Sequence, residues 1–121
     1  HENAEPARPI FYAKRKGIVA KGYPLLDGTK SFVVLKGSLL NVEVTPSFSL
    51  KKQREKVLES CVLKSKDAYE LCEDYVFTSP SSASGVCNGF SSNGFEDWKL
   101  EDGTTLKSYL DQINQQLPSN R

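Results

Sequence analysis

Between Asp74 and Lys99 the chain reads Asp74-Tyr75-Val76-Phe77-Thr78-Ser79-Pro80-Ser81-Ser82-Ala83, then Asn88-Gly89, Asn93-Gly94 and Trp98-Lys99. Ser79 is a natural N-cap, and Pro80 sits at the first helical position, where its missing N–H is no loss. Asn88 and Gly89 both tolerate the left-handed conformation that closes helices. This one segment therefore predicts a strand or extended piece over Tyr69 to Phe77 and a short helix from Pro80 to Cys87. A turn at Asn93-Gly94 and a strand over Trp98 to Leu100, ended by Asp102-Gly103, complete it.

The flanking elements follow from apolar periodicity. Ile10 to Ala13 and Ile18 to Ala20 read as two short strands or one bent strand, interrupted by Lys14-Arg15-Lys16 and Gly17. Asp27-Gly28 predicts a hairpin into Phe32 to Leu35, with Leu39 to Val44 as the neighbouring strand of a three-stranded antiparallel meander. Ser49 is placed to cap a helix whose Leu50, Val57, Leu58 and Cys61 share one face, with Lys51, Lys52, Arg54 and Lys56 on the exposed side. Val62 to Lys66 reads as a turn or short extended piece. Thr104 or Thr105 can cap a last helix with Leu106, Tyr109, Leu110, Ile113 and Leu117 on its apolar face.

The 121 residues fit one domain, expected over residues 10–117, with residues 1–9 as a flexible lead-in and 118–121 as a frayed tail. The fold class expected is α+β: a small antiparallel sheet, the meander plus later strands, packed with about three helices. A hydrophobic fraction of 38% and a charged fraction of 26% indicate a hydrated surface over a modest core. No apolar run approaches the roughly 20 residues of a membrane span, and residues 1–9 lack the apolar centre of a secretory signal, so a cytoplasmic location is expected. Cys61, Cys72 and Cys87 form no metal-binding pair, and one histidine supplies no triad. Free buried thiols, no metal and no cofactor are therefore expected.

The charge is unevenly distributed. Residues 1–72 carry +5 and residues 73–121 carry −4, which leaves a net charge of +1. Three groups of residues invite a binding role. Lys14, Arg15, Lys16 and Lys36, with Lys21, Lys30 and the lysines of the first helix nearby, are suited to phosphates. Ser79, Ser81 and Ser82 surround a helix N-terminus able to hold an anion, with Asn93 alongside. Trp98-Lys99 can pair a stacking ring with an ammonium, although the lone tryptophan is expected mainly in the core as an anchor. The pairs Glu73-Asp74, Glu96-Asp97 and Glu101-Asp102 suit surface turns better than catalysis, because adjacent carboxylates on a strand face opposite ways. With no phosphate loop, nucleophile elbow or zinc motif, the chain reads as a non-enzyme.

Two blocks carry a family resemblance. Phe32-Val33-Val34-Leu35-Lys36-Gly37-Ser38, followed by Arg54 and Leu58 on a helix, and the segment from Asp74 to Lys99 together resemble the bacterial domain-of-unknown-function family DUF4357. The likeness spans residues 10–107. One departure is that family helices are alanine-rich after Ser-Pro-Ser, whereas this chain has Ser82, Ser84 and Gly85; the last helix lies outside the likeness.

What the resemblance implies is company. Such domains often follow a GIY-YIG nuclease-like domain and are similar to modules associated with restriction and adenine-methylase proteins. It implies an accessory domain with DNA as a partner and an upstream domain in the parent protein, residues 1–9 being the remnant of a linker. The expectation is thus a monomeric, non-catalytic DNA-binding module using Lys14, Arg15, Lys16, Lys36, Ser79, Ser81, Ser82, Asn93 and Lys99. The alternative is a protein docking module that uses the apolar face of the last helix.

Overall fold

Phe11 and Ala13 are buried while Tyr12 and Lys14 face outward, the period of two that defines a strand with one wet face. In the computed structural model, which describes residues 9–15, 17–26, 29–46, 48–90 and 92–116, this strand is β1 (Phe11–Arg15). It pairs antiparallel with β2 (Ile18–Pro24), with Tyr12 opposite Lys21 and Ala13 opposite Ala20. Of the two alternatives the sequence left open, two strands hold rather than one bent strand, but the basic cluster does not stand between them as expected. Lys14 and Arg15 continue β1, and Gly17, at φ 82°, supplies the left-handed turn. Lys16 lies outside the described residues, as do the Asp27-Gly28 turn, residues 1–8 of the expected lead-in, Leu117 and the whole expected tail. The strands on either side of that turn pair as expected: β3 (Phe32–Val34) lies antiparallel to β2, with Tyr23 opposite Val33.

The meander is β1-β2-β3, and the strand after it departs from expectation. β4 (Leu39–Asn41) leaves for a second sheet instead of pairing with β3. The Lys36-Gly37-Ser38 block drives the departure. Gly37 takes a φ of 90° and donates to the Leu71 carbonyl at 2.8 Å, while the Leu71 N–H reaches the Ser38 carbonyl at 2.9 Å. The fully buried Ser38 hydroxyl accepts from the Lys21 N–H at 2.9 Å and donates to the Lys21 carbonyl at 3.1 Å. The Lys21 carbonyl also accepts from the Leu35 N–H at 2.8 Å, so the end of β3 and the Ser38 side chain are both anchored on β2 while the chain is carried off β3.

The first helix, α1 (Lys51–Leu58), has Leu50 rather than Ser49 at its N-cap and no side-chain cap bond. Cys61 opens β5 (Cys61–Leu63) instead of extending the helix. β5 pairs with β6 (Ala68–Leu71), whose other edge takes β4, so the second sheet runs β4-β6-β5. The chain then returns as β7 (Tyr75–Phe77), antiparallel to β3, and completes a first sheet in the order β1-β2-β3-β7.

α2 (Pro80–Asn88) begins and ends as its residues dictate. The Ser79 hydroxyl accepts from the Ser82 N–H at 3.1 Å, and Gly89 closes the helix at φ 87°. It is almost wholly buried and touches both β3 and β7 of one sheet and β4 of the other. An added Cβ on Gly85 would stand at ordinary contact distance, 3.5 Å, from the Phe48 ring. Ser82 and Ser84 leave no orphan hydroxyls, because they donate to the carbonyls of Ser79 at 2.9 Å and Ser81 at 3.3 Å.

Asn93-Gly94 starts a short helix, α3 (Gly94–Asp97), rather than a plain turn, since the Asn93 side chain accepts from the Phe95 N–H and caps it. The strand expected over Trp98 to Leu100 reduces to isolated bridges, Lys99 with Tyr12 of β1 and Lys99 with Thr105. α4 (Leu106–Gln116) follows, its first turn bonded by the Thr105 hydroxyl. Leu106, Tyr109 and Leu110 turn inward, with Tyr109 edge-on to Phe11 at 5.2 Å. The core is the expected place for the tryptophan: Trp98 is 0% exposed, lies 4.5 Å from the Phe32 ring and donates its indole N–H to the Pro80 carbonyl at 3.0 Å. Among the described residues, two antiparallel sheets with four helices make the class α+β. No helix among the described residues is long and apolar enough to cross a membrane.

Candidate nucleic-acid interface

Residues directly opposite one another on paired strands share a face. The bridge between Lys99 and Tyr12, closed by hydrogen bonds of 2.7 and 3.0 Å, and the Tyr12–Lys21 pair of β1 and β2 therefore form one cross-strand row, Lys99-Tyr12-Lys21. The row lies on the outer face of the first sheet, with the three lysines Lys14, Lys21 and Lys99 exposed and Tyr12 half-buried. The Lys14 ammonium stands 5.7 Å from the centre of the Tyr12 ring. A cation at that distance is held over the ring by its quadrupole, which keeps a charge and an aromatic face side by side.

A groove of about 260 Å³ runs beside this row, lined by Tyr12, Lys14, Asp97, Lys99, Leu100 and Gly103, with Glu101 at its side. One oxygen of Asp97, Oδ2, is buried with no hydrogen-bond partner among the described residues. Nearby Asp102, fully exposed, is held below the usual carboxylate range chiefly by the Thr104 N–H that bonds it. Asp97 and Glu101 thus share the lining of this groove with Lys14 and Lys99.

Among the described candidates, the structure brings Lys14 and Lys99 together and places Arg15, Lys36, the serines and Asn93 elsewhere, Lys16 lying outside the described residues. Arg15, on the opposite face of β1, stacks its guanidinium 4.5 Å from the Phe90 ring. Lys36 is exposed in the turn after β3, where its backbone N–H bonds Asp74 at 2.8 Å. At the start of α2 the hydroxyls are already engaged: Ser79 with Ser82, and Ser81 as acceptor for the Gly94 N–H at 2.9 Å. Gly94 itself presses on the helix start, since a Cβ there would fall 2.2 Å from the Pro80 carbonyl oxygen. Asn93 is occupied with α3. Tyr12 joins Lys14 and Lys99, and the sequence signal for it was the alternation within Phe11-Tyr12-Ala13-Lys14.

Arg54 corrects another expectation. It is 4% exposed rather than on the solvent side of α1, and its guanidinium donates to the carbonyls of Val86 and Asn41. The spacing of Leu50, Arg54 and Val57, i, i+4 and i+7, had already put it on the apolar stripe. Burial lowers its pKa, and no carboxylate pairs with it in the ion pairs among the described residues, Lys64–Glu70 and Lys107–Asp111. Its positive charge instead faces the carbonyl end of α2, which favours a cation.

The cysteines are free. Cys87 is buried and Cys61 half-buried, and burial pushes their thiols up to about 12 and about 11, a poor setting for a nucleophile. Cys72 is exposed, against the expectation of a buried thiol. No cluster of candidate metal ligands occurs among the described residues. Neither the curated proteins nor the solved structures yield a match to the chain. Comparison with protein families matches residues 11–110 to a family described as Domain of unknown function (DUF4357). The span opens at β1 and ends within α4, so the start of the last helix, expected outside the likeness, falls inside it, and the chain belongs to the DUF4357 family.

Proposed function

We propose that the chain is a non-catalytic accessory domain that binds DNA for a larger nuclease- or restriction-modification-like protein. The observation that carries this reading is the Lys99-Tyr12-Lys21 row with Lys14 over the tyrosine, on an open sheet face. Lysines set around an aromatic ring meet a phosphate backbone while a sugar or base rests on the ring. The company of GIY-YIG nuclease-like domains that the family likeness implies supports the same direction. The serines and Asn93 act in this reading as scaffold, holding α2 and α3 behind the face. Against the docking alternative stands the packing of Leu106, Tyr109 and Leu110 of α4 on the domain's own core, which leaves less of that apolar face for a partner.

Titration of labelled duplex and single-stranded DNA at low and high salt tests the reading. Binding that weakens steeply with salt is expected, with a slope reduced in the Lys14→Glu, Lys99→Glu double variant. Absence of binding at low salt, or binding indifferent to the two substitutions, refutes it.

A further inference from the structure

Arg15 and Phe90 belong to a second concavity, of about 430 Å³, around the turn end of β1. It is lined also by Asn41, Glu43, Thr45 and Asn88. Its backbone is tied together before any ligand arrives. The Asn41 side chain donates to the Asn88 carbonyl at 3.1 Å and accepts from the Glu43 N–H at 3.0 Å, while the Thr45 N–H reaches the Gly89 carbonyl at 2.8 Å. Gly89 makes that approach possible, because a Cβ there would fall 2.1 Å from the Glu43 carbonyl oxygen. The buried Arg54 joins the carbonyls of Asn41 and Val86 from within.

The chemistry of the lining selects the ligand class. A guanidinium stacked on Phe90 offers its other planar face, the surface on which unstacked bases rest. The exposed Glu43 carboxylate disfavours a phosphate in the same space, whereas carboxylate, amide and hydroxyl together match the donors and acceptors along a base edge. Lys14 and Arg15 are consecutive and project to opposite faces of β1. Their Cα atoms are only about 3.8 Å apart, so a strand whose phosphate meets Lys14 would reach this concavity by turning around the end of β1.

We propose that this pocket receives a single unstacked DNA base, stacked on Arg15, an assignment that rests on the DNA-binding reading above. The test uses two oligonucleotides, one abasic throughout and one abasic except for a single central base. Affinities are measured for the unaltered domain, Arg15→Lys, and the Lys14→Glu, Lys99→Glu double variant. Lysine keeps the charge of Arg15 and removes its planar stack. The unaltered domain is expected to prefer the base-bearing strand roughly tenfold, and Arg15→Lys to lose that preference with an unchanged salt slope. The double variant is expected to weaken both strands while keeping the preference. Equal binding of the two strands by the unaltered domain, or a preference that survives Arg15→Lys, overturns the pocket and leaves the DNA reading standing. Failure of both strands to bind at low salt removes the DNA reading and the pocket with it.

Discussion

The start of α2 and the outer face of the β1–β2 hairpin were both rich in candidate binding groups, and the fold treats them in opposite ways. At the helix start the donors are consumed: Ser79 caps, Ser82 and Ser84 bond back to the helix, Ser81 receives Gly94, and Trp98 locks onto Pro80. On the sheet face Lys14, Lys21 and Lys99 remain exposed around Tyr12. Hydrogen-bond demand explains the contrast. A buried helix must satisfy every hydroxyl internally, whereas an exposed strand face leaves its polar side chains to the solvent or to a partner.

If the first region is scaffold, changes there alter stability before they alter binding. The largest effect is expected from Trp98→Ala, which empties the centre of the core and removes the bond to Pro80, costing about 3–5 kcal/mol by chemical denaturation. Arg54→Met comes next, at about 3 kcal/mol, because the Val86 and Asn41 carbonyls lose their donor inside the protein. Ser79→Ala removes a cap and is expected to cost about 1 kcal/mol with DNA affinity unchanged. A stable Ser79→Ala variant that no longer bound DNA would return the helix start to the interface.

Alkaline titration sharpens the same contrast through Cys87. Its thiol is held at about 12 in the fold against an ordinary 9.0, so the unfolded chain loses its proton first as pH rises. The group's contribution is complete below about pH 9 and declines between about 9 and 12. The melting temperature should fall across that window, and less steeply in Cys87→Ala. An equal fall in both would place the sensitivity elsewhere. The smallest stability effect is expected on the sheet face, where Lys14→Glu with Lys99→Glu should remain within about 0.5 kcal/mol of the unaltered domain.

Local rules made the second half of the fold legible. Ser79, Pro80 and Asn88-Gly89 mark α2 to within a residue, and the spacing of Leu106, Tyr109 and Leu110 marks the inward face of α4. Pairing over distance was not legible. β4 looks like the next strand of a meander, and only the contacts of Gly37 and Ser38 with Leu71 and Lys21 send it to the other sheet. The candidate face was half legible for the same reason. Alternation in β1 puts Tyr12 and Lys14 together, but nothing local announces that Lys99 bridges to Tyr12. Arg54 shows the reverse error, since its residue type suggested solvent while its position in the helical stripe indicated the core.

The most direct test measures DNA affinity against salt for the Lys14→Glu, Lys99→Glu variant beside a Ser79→Ala, Ser82→Ala variant, each first shown to be folded. If the sheet face is the interface, the lysine variant loses affinity and its salt slope becomes about two units shallower, while the serine variant binds as the unaltered domain does. Loss of binding in the serine variant, with the lysine variant unaffected, would contradict the account.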